Sequence, residues 1–200
     1  MLRVAIVADT HGRLDPRIEA LVAGCDLAVH GGDVGCAEIL ARLRPRSGRV
    51  EAVLGNNDVA HKWPEADRPV LAGLPDQLAL DLPGGRLVVV HGHRTAAKDR
   101  HARLRRQHPG ARAVVYGHSH RLTVDRDALP WILNPGAAGR ARTYGGPSCL
   151  ILEASARGWD IESHRFAPAA PARGNGHASP MRPNGNANVH PGSDRSSDRP

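Results

Sequence analysis

The first half of the chain alternates between apolar runs of strand length and segments with helical spacing. Leu2–Ala8 is a continuous apolar run, which is typical of a strand buried on both faces. Asp15 and Pro16 then predict the N-cap and first residue of a helix, whose apolar stripe ends at Gly24. The next predicted elements are a strand over Asp26–His30, a short helix over Ala37–Leu43 and a strand over Arg49–Leu54. This alternation predicts parallel strands joined by right-handed crossovers.

The second half carries short strands separated by turns rich in glycine and proline. Gln77–Leu82 and Arg86–Val90 flank Pro83-Gly84-Gly85 and predict a β-hairpin. A helix is predicted over Ala96–Gln107. The remaining predicted strands are Ala113–Tyr116, Leu122–Asp125, Trp131–Leu133, Cys149–Glu153 and Trp159–His164. We therefore expect two packed sheets with helices outside them, the first sheet parallel or mixed and the second more antiparallel.

The composition changes from about Ala167 onward to Pro, Ala, Gly, Asn, Ser and Arg. After Phe166 the only large apolar residues are Met181 and Val189. Such a segment cannot bury enough apolar surface to offset the entropy lost on ordering. We predict one folded domain over residues 1–166 and a disordered tail over residues 167–200.

The size and composition are those of one globular domain. The chain has 200 residues, of which 40% are hydrophobic and only 3% aromatic, so the core must be built from aliphatic side chains. No apolar run approaches the roughly 18 residues of a membrane span, and no signal peptide is recognised, so we expect a cytoplasmic protein without a membrane partner. Cys25, Cys36 and Cys149 lack metal-binding spacing and are interpreted as ordinary thiols.

The positive charge does not by itself predict a nucleic-acid partner. The net charge is +7, and nearly all cations are arginines; Lys62 and Lys98 are the lysines. The densest basic run, from Arg94 to His108, contains no aromatic residue on which a base could stack. We interpret it as a solvated helix face and expect no specific nucleic-acid partner.

Residues able to bind metal ions follow five of the apolar runs. The segments are Asp9-Thr10-His11, Gly31-Gly32-Asp33, Gly55-Asn56-Asn57-Asp58, His91-Gly92-His93 and Gly117-His118-Ser119-His120. The carboxyl ends of strands in α/β sheets form ligand sites, so these segments can converge on one edge. Their mixture of carboxylate, imidazole and amide oxygen suits divalent transition metals better than calcium or structural zinc.

The set and order of these motifs resemble those of the calcineurin-like metallophosphoesterases, in particular the small YfcE-type phosphodiesterases. The resemblance covers Met1 to Phe166, and Asn134-Pro135-Gly136 matches a loop typical of the small members. It implies an α/β fold, a four-layer α/β/β/α sandwich of two mixed sheets flanked by helices. It also implies two divalent metal ions, with manganese expected first and nickel, iron or zinc as alternatives.

The resemblance assigns a ligand set to each metal. The first metal would be held by Asp9, His11, Asp33 and His120. The second would be held by Asp33, Asn56, His91 and His118. Asp33 would bridge them, since a shared anion offsets the repulsion between two cations roughly 3.5–4 Å apart. The expected reaction is hydrolysis of a small phosphodiester, with monoesters as a second substrate class, by a hydroxide that bridges both metals.

One position departs from the pattern of larger family members, which often carry a histidine after the metal-binding asparagine. Here that position is Asn57, which can donate a hydrogen bond but cannot serve as an ordinary general acid. Losing a proton donor costs on the order of 10²–10⁴ in rate for poor leaving groups. Asp58 is expected to orient the loop. His93 is the candidate substitute donor, and a hydrogen-bonding role beside His91 is the equal alternative.

Two other functions are compatible with these residues. One is a non-catalytic, metal-binding scaffold or interaction module on the same fold; the other, suggested by the basic charge, is a nuclease. Arg94, Arg140 and Arg142 are candidates for phosphate contacts, with solvated surface as the alternative for each. Because small members of the family often pair, a homodimer is a further expectation.

Overall fold

The computed structural model describes residues 1–139 and 142–168. Its strands are β1 Leu2–Val7, β2 Leu27–His30, β3 Val50–Ala52, β4 Gln77–Leu82, β5 Gly85–Val90, β6 Ala113–Val115, β7 Leu122–Asp125, β8 Trp131–Pro135, β9 Ser148–Ser155 and β10 Gly158–Arg165. Its α-helices are α1 Pro16–Ala23, α2 Ala37–Arg42, α3 Arg68–Ala72 and α4 Arg100–Gln107. The predicted strands and the hairpin are therefore confirmed, with ends that shift by a few residues.

The strands form two five-stranded sheets. The first has the order β10-β9-β1-β2-β3, in which β1, β2 and β3 are parallel and β9 is antiparallel to both of its neighbours. The second has the order β4-β5-β6-β8-β7, in which β5, β6 and β8 are parallel and the two edge strands are antiparallel. The expectation of a more antiparallel second sheet is wrong, because the crossover through α4 makes β5 and β6 parallel.

Three apolar layers show how the sheets and helices stack. Alternation along β1 turns Val4 and Ile6 toward the second sheet, where they pack with residues such as Leu87 and Val89. Ala5 and Val7 face the other way, into a layer with Ile18 of α1, Ile39 of α2 and Leu71 of α3. Leu104 of α4 covers the outer face of the second sheet, together with Val88, Val114 and Ile132. This arrangement confirms the α/β/β/α sandwich.

The helices show where local sequence signals were sufficient. The start of α1 is confirmed, since the Asp15 side chain accepts a hydrogen bond from the Arg17 backbone N–H at 3.0 Å. In contrast, α4 begins at Arg100 and not at Ala96. The segment between β3 and β4, for which the sequence pattern predicted no helix, contains a 3₁₀ turn over Glu65–Asp67 and then α3. Its short helix buries only Leu71, which leaves no periodic pattern to recognise.

The predicted tail, membrane spans and cysteines differ in how far the structure describes them. The predicted tail, apart from its first two residues, and Arg140 lie outside the described residues. None of the described helices has the length and apolar character needed to cross a membrane. Cys25 and Cys149 are buried and Cys36 is half-buried, all with free thiols.

Candidate metal centre

The predicted ligands follow the carboxyl ends of five parallel strands. Asp9 follows β1, and Asp33 and Asn56 follow β2 and β3 in the same sheet. His91 comes directly after β5, and His118 follows β6 in the second sheet. Contacts among these side chains bring the ends of both sheets together into one cluster.

One group of side chains contains Asp9, His11 and His120. The Nε2 atoms of His11 and His120 lie 3.3 Å apart, and His120 Nε2 is 3.4 Å from Asp9 Oδ1. One potential ligand atom from each residue lies within 4.8 Å of the others. Two imidazole nitrogens and a carboxylate oxygen at this separation can surround a single cation.

A second group is centred on Asn56 and His91. Asn56 Oδ1 lies 3.2 Å from His91 Nε2 and 2.9 Å from His118 Nδ1. Asp33 Oδ2 is 3.4 Å from His91 Nε2 and 3.7 Å from His11 Nε2, so it lies between the two groups. All seven predicted ligands are thus brought together, and Asp33 occupies the shared position.

Two features of the buried polar atoms fit a bound cation. Asp9 Oδ2 is buried and has no hydrogen-bond partner among the described residues, which would be costly without a ligand. His91 Nδ1 lies 2.8 Å from the Gly31 carbonyl oxygen, to which it donates its proton. With Nδ1 protonated in this way, loss of the proton on Nε2 leaves a lone pair directed at Asp33 and Asn56, as a metal-binding histidine requires. The donor set therefore suits divalent cations.

The backbone is strained at the same place. Five predicted ligands have positive φ angles, between 47° and 63°: Asp9, His11, Asp33, His118 and His120. Only two other non-glycine residues in the described part of the chain, Asp99 and Arg142, share this conformation. Each such residue costs of order 1–3 kcal/mol, and strain of this kind concentrates at functional sites. The fold thus maintains these side chains in one cluster at a cost in stability.

Two motif glycines permit the close approach of the loops. A Cβ on Gly55 would lie 2.2 Å from both the backbone nitrogen and Oδ1 of Asp33. A Cβ on Gly32, where φ is +91°, would lie 2.7 Å from His91 Nδ1. Glycine is required at both positions because the ligand-bearing loops pass within contact distance.

Asp58 connects the loops after β2 and β3. Its Oδ2 accepts hydrogen bonds from the backbone N–H groups of Val34 at 3.1 Å and Gly55 at 2.8 Å. Its Oδ1 accepts from the Gly35 backbone N–H and from Trp63 Nε1, each at 3.0 Å. The carboxylate is buried and fully engaged, so its geometry supports the expected role in orienting the loop.

Asn57 contacts the shared aspartate directly. Its backbone N–H donates to Asp33 Oδ1 and its side-chain amide donates to Asp33 Oδ2, both at 2.7 Å. Lys62 Nζ donates to the Asn57 side-chain oxygen at 2.6 Å, which directs the amide nitrogen toward Asp33. Asn57 is therefore close enough to affect both the charge on Asp33 and a substrate bound beside it.

His93 lies at the edge of the cluster. Its ring centroid is 5.5 Å from that of His91 and 6.3 Å from that of His118. Its Nδ1 atom is buried without a hydrogen-bond partner among the described residues. Burial, with the nearby His91 charge, lowers the pKa of His93, which favours the neutral form.

Burial and mutual charge separate the pKa values of the cluster. Burial raises the pKa of Asp9 to about 7. Burial acts in the same direction on Asp33, but hydrogen bonds from His91 and Asn57 outweigh it and lower the pKa of Asp33. The pKa of His91 is raised, because the pairing with Asp33 outweighs burial. Asp33 is therefore the anionic centre around which the other groups are arranged.

Two buried polar residues, His30 and Asn134, support the ligand-bearing loops through hydrogen bonds that the sequence did not predict. His30 is fully buried, accepts a hydrogen bond from the Gly32 backbone N–H at 3.2 Å and donates to Thr10 Oγ1 at 2.9 Å. Burial lowers the pKa of His30 to about 4, so it is neutral. Asn134 donates to the Gly117 carbonyl oxygen at 2.9 Å and thereby supports the loop that carries His118 and His120. A polar residue within an otherwise apolar strand was the sequence signal that could have indicated these supporting roles.

The candidate phosphate-contacting arginines differ in placement. Arg94 forms two hydrogen bonds of 2.9 Å with Asp76 on the surface. Arg142 is exposed, and its charge contributes to lowering the pKa of His11 after burial, so it lies within electrostatic range of the cluster. His101, which belongs to the basic run interpreted as a solvated helix face, is half-buried against Asp125 and Tyr116.

Solved structures with the same fold include Vps29 proteins and proteins described as phosphoesterases or phosphodiesterases. Zn²⁺-bound wild-type Vps29 from Entamoeba histolytica aligns over 82% of this chain and 98% of its own, with 19% identity and a TM-score of 0.61. A predicted phosphoesterase from Streptococcus pneumoniae aligns over 84% and 94%, with 21% identity and a TM-score of 0.57. An archaeal phosphodiesterase aligns over 82% and 100%, with 18% identity and a TM-score of 0.59. At these identities the similarity establishes the fold alone.

Sequence comparison establishes the family. No curated protein matches the chain. The calcineurin-like phosphoesterase superfamily domain, in contrast, matches residues 2–157, which include every predicted metal ligand. The chain therefore belongs to the calcineurin-like phosphoesterase superfamily.

Proposed function

We propose that this protein is a phosphoesterase that uses two divalent metal ions, manganese first among them, to hydrolyse small phosphodiesters. Phosphomonoesters are the second substrate class. The observation that carries the proposal is the position of Asp33 Oδ2, within 3.7 Å of His11 and 3.4 Å of His91. A single carboxylate oxygen facing two histidine-containing groups is the arrangement that two cations need in order to share an anion.

The chain's own residues prepare the site for this chemistry. Asp9, His11 and His120 would hold one cation with Asp33; Asn56, His91 and His118 would hold the other with the same carboxylate. Two bound cations would neutralise phosphate oxygens and lower the pKa of water enough to provide a nucleophile near neutral pH. Asn56 is exposed and His118 half-buried, so a phosphate ester can approach from their side of the cluster.

Protonation of the leaving group is the step for which the site is least equipped. Asn57 cannot supply a proton, and its amide is already directed at Asp33. His93 is the nearest other imidazole, and its lowered pKa makes it a poor reservoir of protons at neutral pH. We therefore propose a preference for diesters with acidic leaving groups.

The direct test is hydrolysis of bis(p-nitrophenyl) phosphate by the purified full chain with manganese, and then with nickel, iron or zinc. We expect Asp33→Asn to lose activity and bound metal together, because both cations depend on this carboxylate. The matched control is Asp127→Asn, which changes an exposed aspartate after β7. Wild-type protein that shows neither turnover nor bound metal with all four ions would refute the proposal.

The alternative is a non-catalytic module on the same fold, and the observation that favours it is the similarity to Vps29. The two readings differ in one measurable way. A scaffold that binds metal would retain stoichiometric metal in the wild type yet give no turnover on diesters or monoesters. The retention of a competent side chain at all seven ligand positions favours the enzyme.

We propose a small phosphate ester as the partner, with no specific nucleic acid and no membrane, in a cytoplasmic protein that forms a homodimer. A nuclease would require tight DNA binding with a steep dependence on salt. Weak, nonspecific DNA binding is the expected result.

A further inference from the structure

A cavity of about 620 Å³ lies beside the metal centre, on the outer side of the second sheet. Helix α4 forms one wall through Arg100, His101 and Arg105, and residues that follow β6 form another. Ser119 belongs to this second wall and lies between the predicted ligands His118 and His120 in the chain. The loop after β6 therefore contributes to both the cavity and the metal centre, although none of the predicted metal ligands lines the cavity.

The basic side chains of this cavity fall into two classes. His101 and Arg105 share Asp125, with His101 Nδ1 2.7 Å from Asp125 Oδ2 and Arg105 bonded to Oδ1. Arg100 and Arg121 have no carboxylate partner among the described residues. Asp125 offsets the charge of Arg105, so Arg100 and Arg121 leave excess positive charge in the cavity.

The contacts made by the two arginines hold their side chains without neutralising them. Arg100 Nε donates to the Thr95 carbonyl oxygen at 3.2 Å, and its Cζ lies 5.6 Å from the centroid of the Tyr116 ring. Arg121 Cζ lies 4.3 Å from the centroid of the Tyr144 ring. Stacking on an aromatic face orients a guanidinium and leaves its N–H groups available to an anion.

The cavity also borders the metal centre. Ser119 lines the cavity, and its two neighbours in the chain, His118 and His120, are predicted ligands, with consecutive Cα atoms about 3.8 Å apart. The only carboxylate in the cavity lining is Asp99, which is exposed and therefore well screened by water. An anionic group held here would be close enough to belong to the same ligand as a phosphate at the metals.

We propose that this cavity is a subsite for a second phosphate of the substrate, bound by Arg100 and Arg121. The inference rests on the proposed phosphodiesterase function and names its substrate class, a small phosphodiester that carries an additional terminal phosphate. It also gives a role to part of the basic run that the sequence pattern indicated to be solvated surface. Guanidinium groups match the geometry of phosphate oxygens, and two of them suit the charge of a terminal phosphate, about −1.5 to −2 at pH 7, better than the single charge of a carboxylate.

The test compares two ligands that differ only in the second phosphate, the dinucleotide ApA and its 5′-phosphorylated form pApA. Binding is measured by calorimetry in EDTA, where no hydrolysis occurs, and kcat/KM is measured with manganese. We expect pApA to bind and react about tenfold better than ApA, a factor consistent with two partly exposed charge pairs. The advantage should shrink as salt is raised.

Three variants assign the effect to residues. Arg100→Gln and Arg121→Gln should each reduce the preference for pApA through KM, and the double variant should abolish it. Activity on bis(p-nitrophenyl) phosphate, which has no second phosphate, should fall less than activity on pApA. The control is Arg106→Gln, an exposed arginine of α4 that does not line the cavity and should retain the full preference.

The outcomes separate this proposal from the function on which it rests. Equal binding of ApA and pApA, or equal loss of preference in Arg106→Gln, would overturn the subsite. Inorganic phosphate that binds at this cavity as tightly as pApA would show a site for free phosphate and overturn the substrate class. A preference for pApA in EDTA that depends on both arginines, in a protein without turnover, would support the anion site and refute the phosphodiesterase.

Discussion

Replacing Asp58 by asparagine should destabilise the folded protein and disorganise the metal centre, although Asp58 is not a predicted metal ligand. Each carboxylate oxygen accepts two hydrogen bonds, all from N–H donors, at 2.8–3.1 Å. Asparagine presents only one oxygen, so in either orientation two N–H donors lose their acceptor and face the new NH₂ group.

The magnitude follows from those four bonds. A hydrogen bond to a charged group is worth roughly 1.5–3 kcal/mol, and buried donors left unsatisfied cost about as much. Losing two of them should reduce the free energy of unfolding by about 3–6 kcal/mol. That is a large share of the roughly 5–15 kcal/mol typical of a domain. Because two of the donors belong to Val34 and Gly55, the neighbouring Asp33 and Asn56 should lose their relative positions and bind metal more weakly.

The assay is urea denaturation of metal-free protein, together with metal content after loading. Asp127→Asn, at an exposed position, is the matched control and should change the free energy of unfolding by less than about 0.5 kcal/mol. In a Trp63→Phe background one donor is absent, so the Asp58→Asn penalty should fall by about 1 kcal/mol. A penalty below about 1 kcal/mol with unchanged metal content would falsify the argument that Asp58 holds the two loops together.

The remaining predictions concern a glycine, an aspartate and Asn57. Gly32→Ala should abolish activity and lower the free energy of unfolding by several kcal/mol, because its Cβ would lie 2.7 Å from His91 Nδ1. Gly48 also has a positive φ, but nothing lies within 4 Å of its Cβ position, so Gly48→Ala should lower the free energy of unfolding by only about 1–2 kcal/mol. Similar activities and unfolding curves for the two variants would contradict this. Burial raises the pKa of Asp9 to about 7, above its value near 4 in the unfolded chain. In metal-free protein kept in EDTA, the contribution of Asp9 to the free energy of unfolding should therefore be complete below about pH 4 and decline as pH rises toward 7. Urea titrations of Asp9→Asn should lack that decline, and an identical pH profile would refute it. Asn57→Ala should retain metal and change the ratio of rates on diesters with acidic and basic leaving groups, and complete loss on both would show that Asn57 is required for catalysis itself.

The sequence predicted most of the helices and strands because these elements form through interactions between residues close in the chain. The cap at Asp15 and the strand β1 follow from interactions among residues close in the chain. The delayed start of α4 shows the limit. Ala96 to Asp99 have acceptable composition for a helix, but Asp99 adopts a left-handed conformation that breaks it. A short helix with one buried residue, such as α3, has no pattern that distinguishes it from a loop.

The residues that cluster at the strand ends were predicted from sequence, whereas most of the hydrogen bonds that hold them were not. Five motifs at strand ends identified seven residues, and the contacts bring all seven together. The hydrogen bonds from Asn57 to Asp33, and those from Val34 and Gly35 to Asp58, were beyond reach because they join segments about 24 residues apart in the chain. The division of the basic run was equally hidden, since only tertiary contacts pair Arg105 with Asp125 and leave Arg100 without a carboxylate.

The sequence by itself determined which side chains are able to bind metal ions, because ligand types and their order after apolar strands are properties of the chain. It also determined the alternation of strands and helices, which requires parallel strand ends to meet at one edge. Only the tertiary structure decided which charges are neutralised, which glycines are indispensable and which backbone angles are strained. Those properties depend on distances between segments remote in the chain, and burial then sets how strongly each charge and hydrogen bond acts.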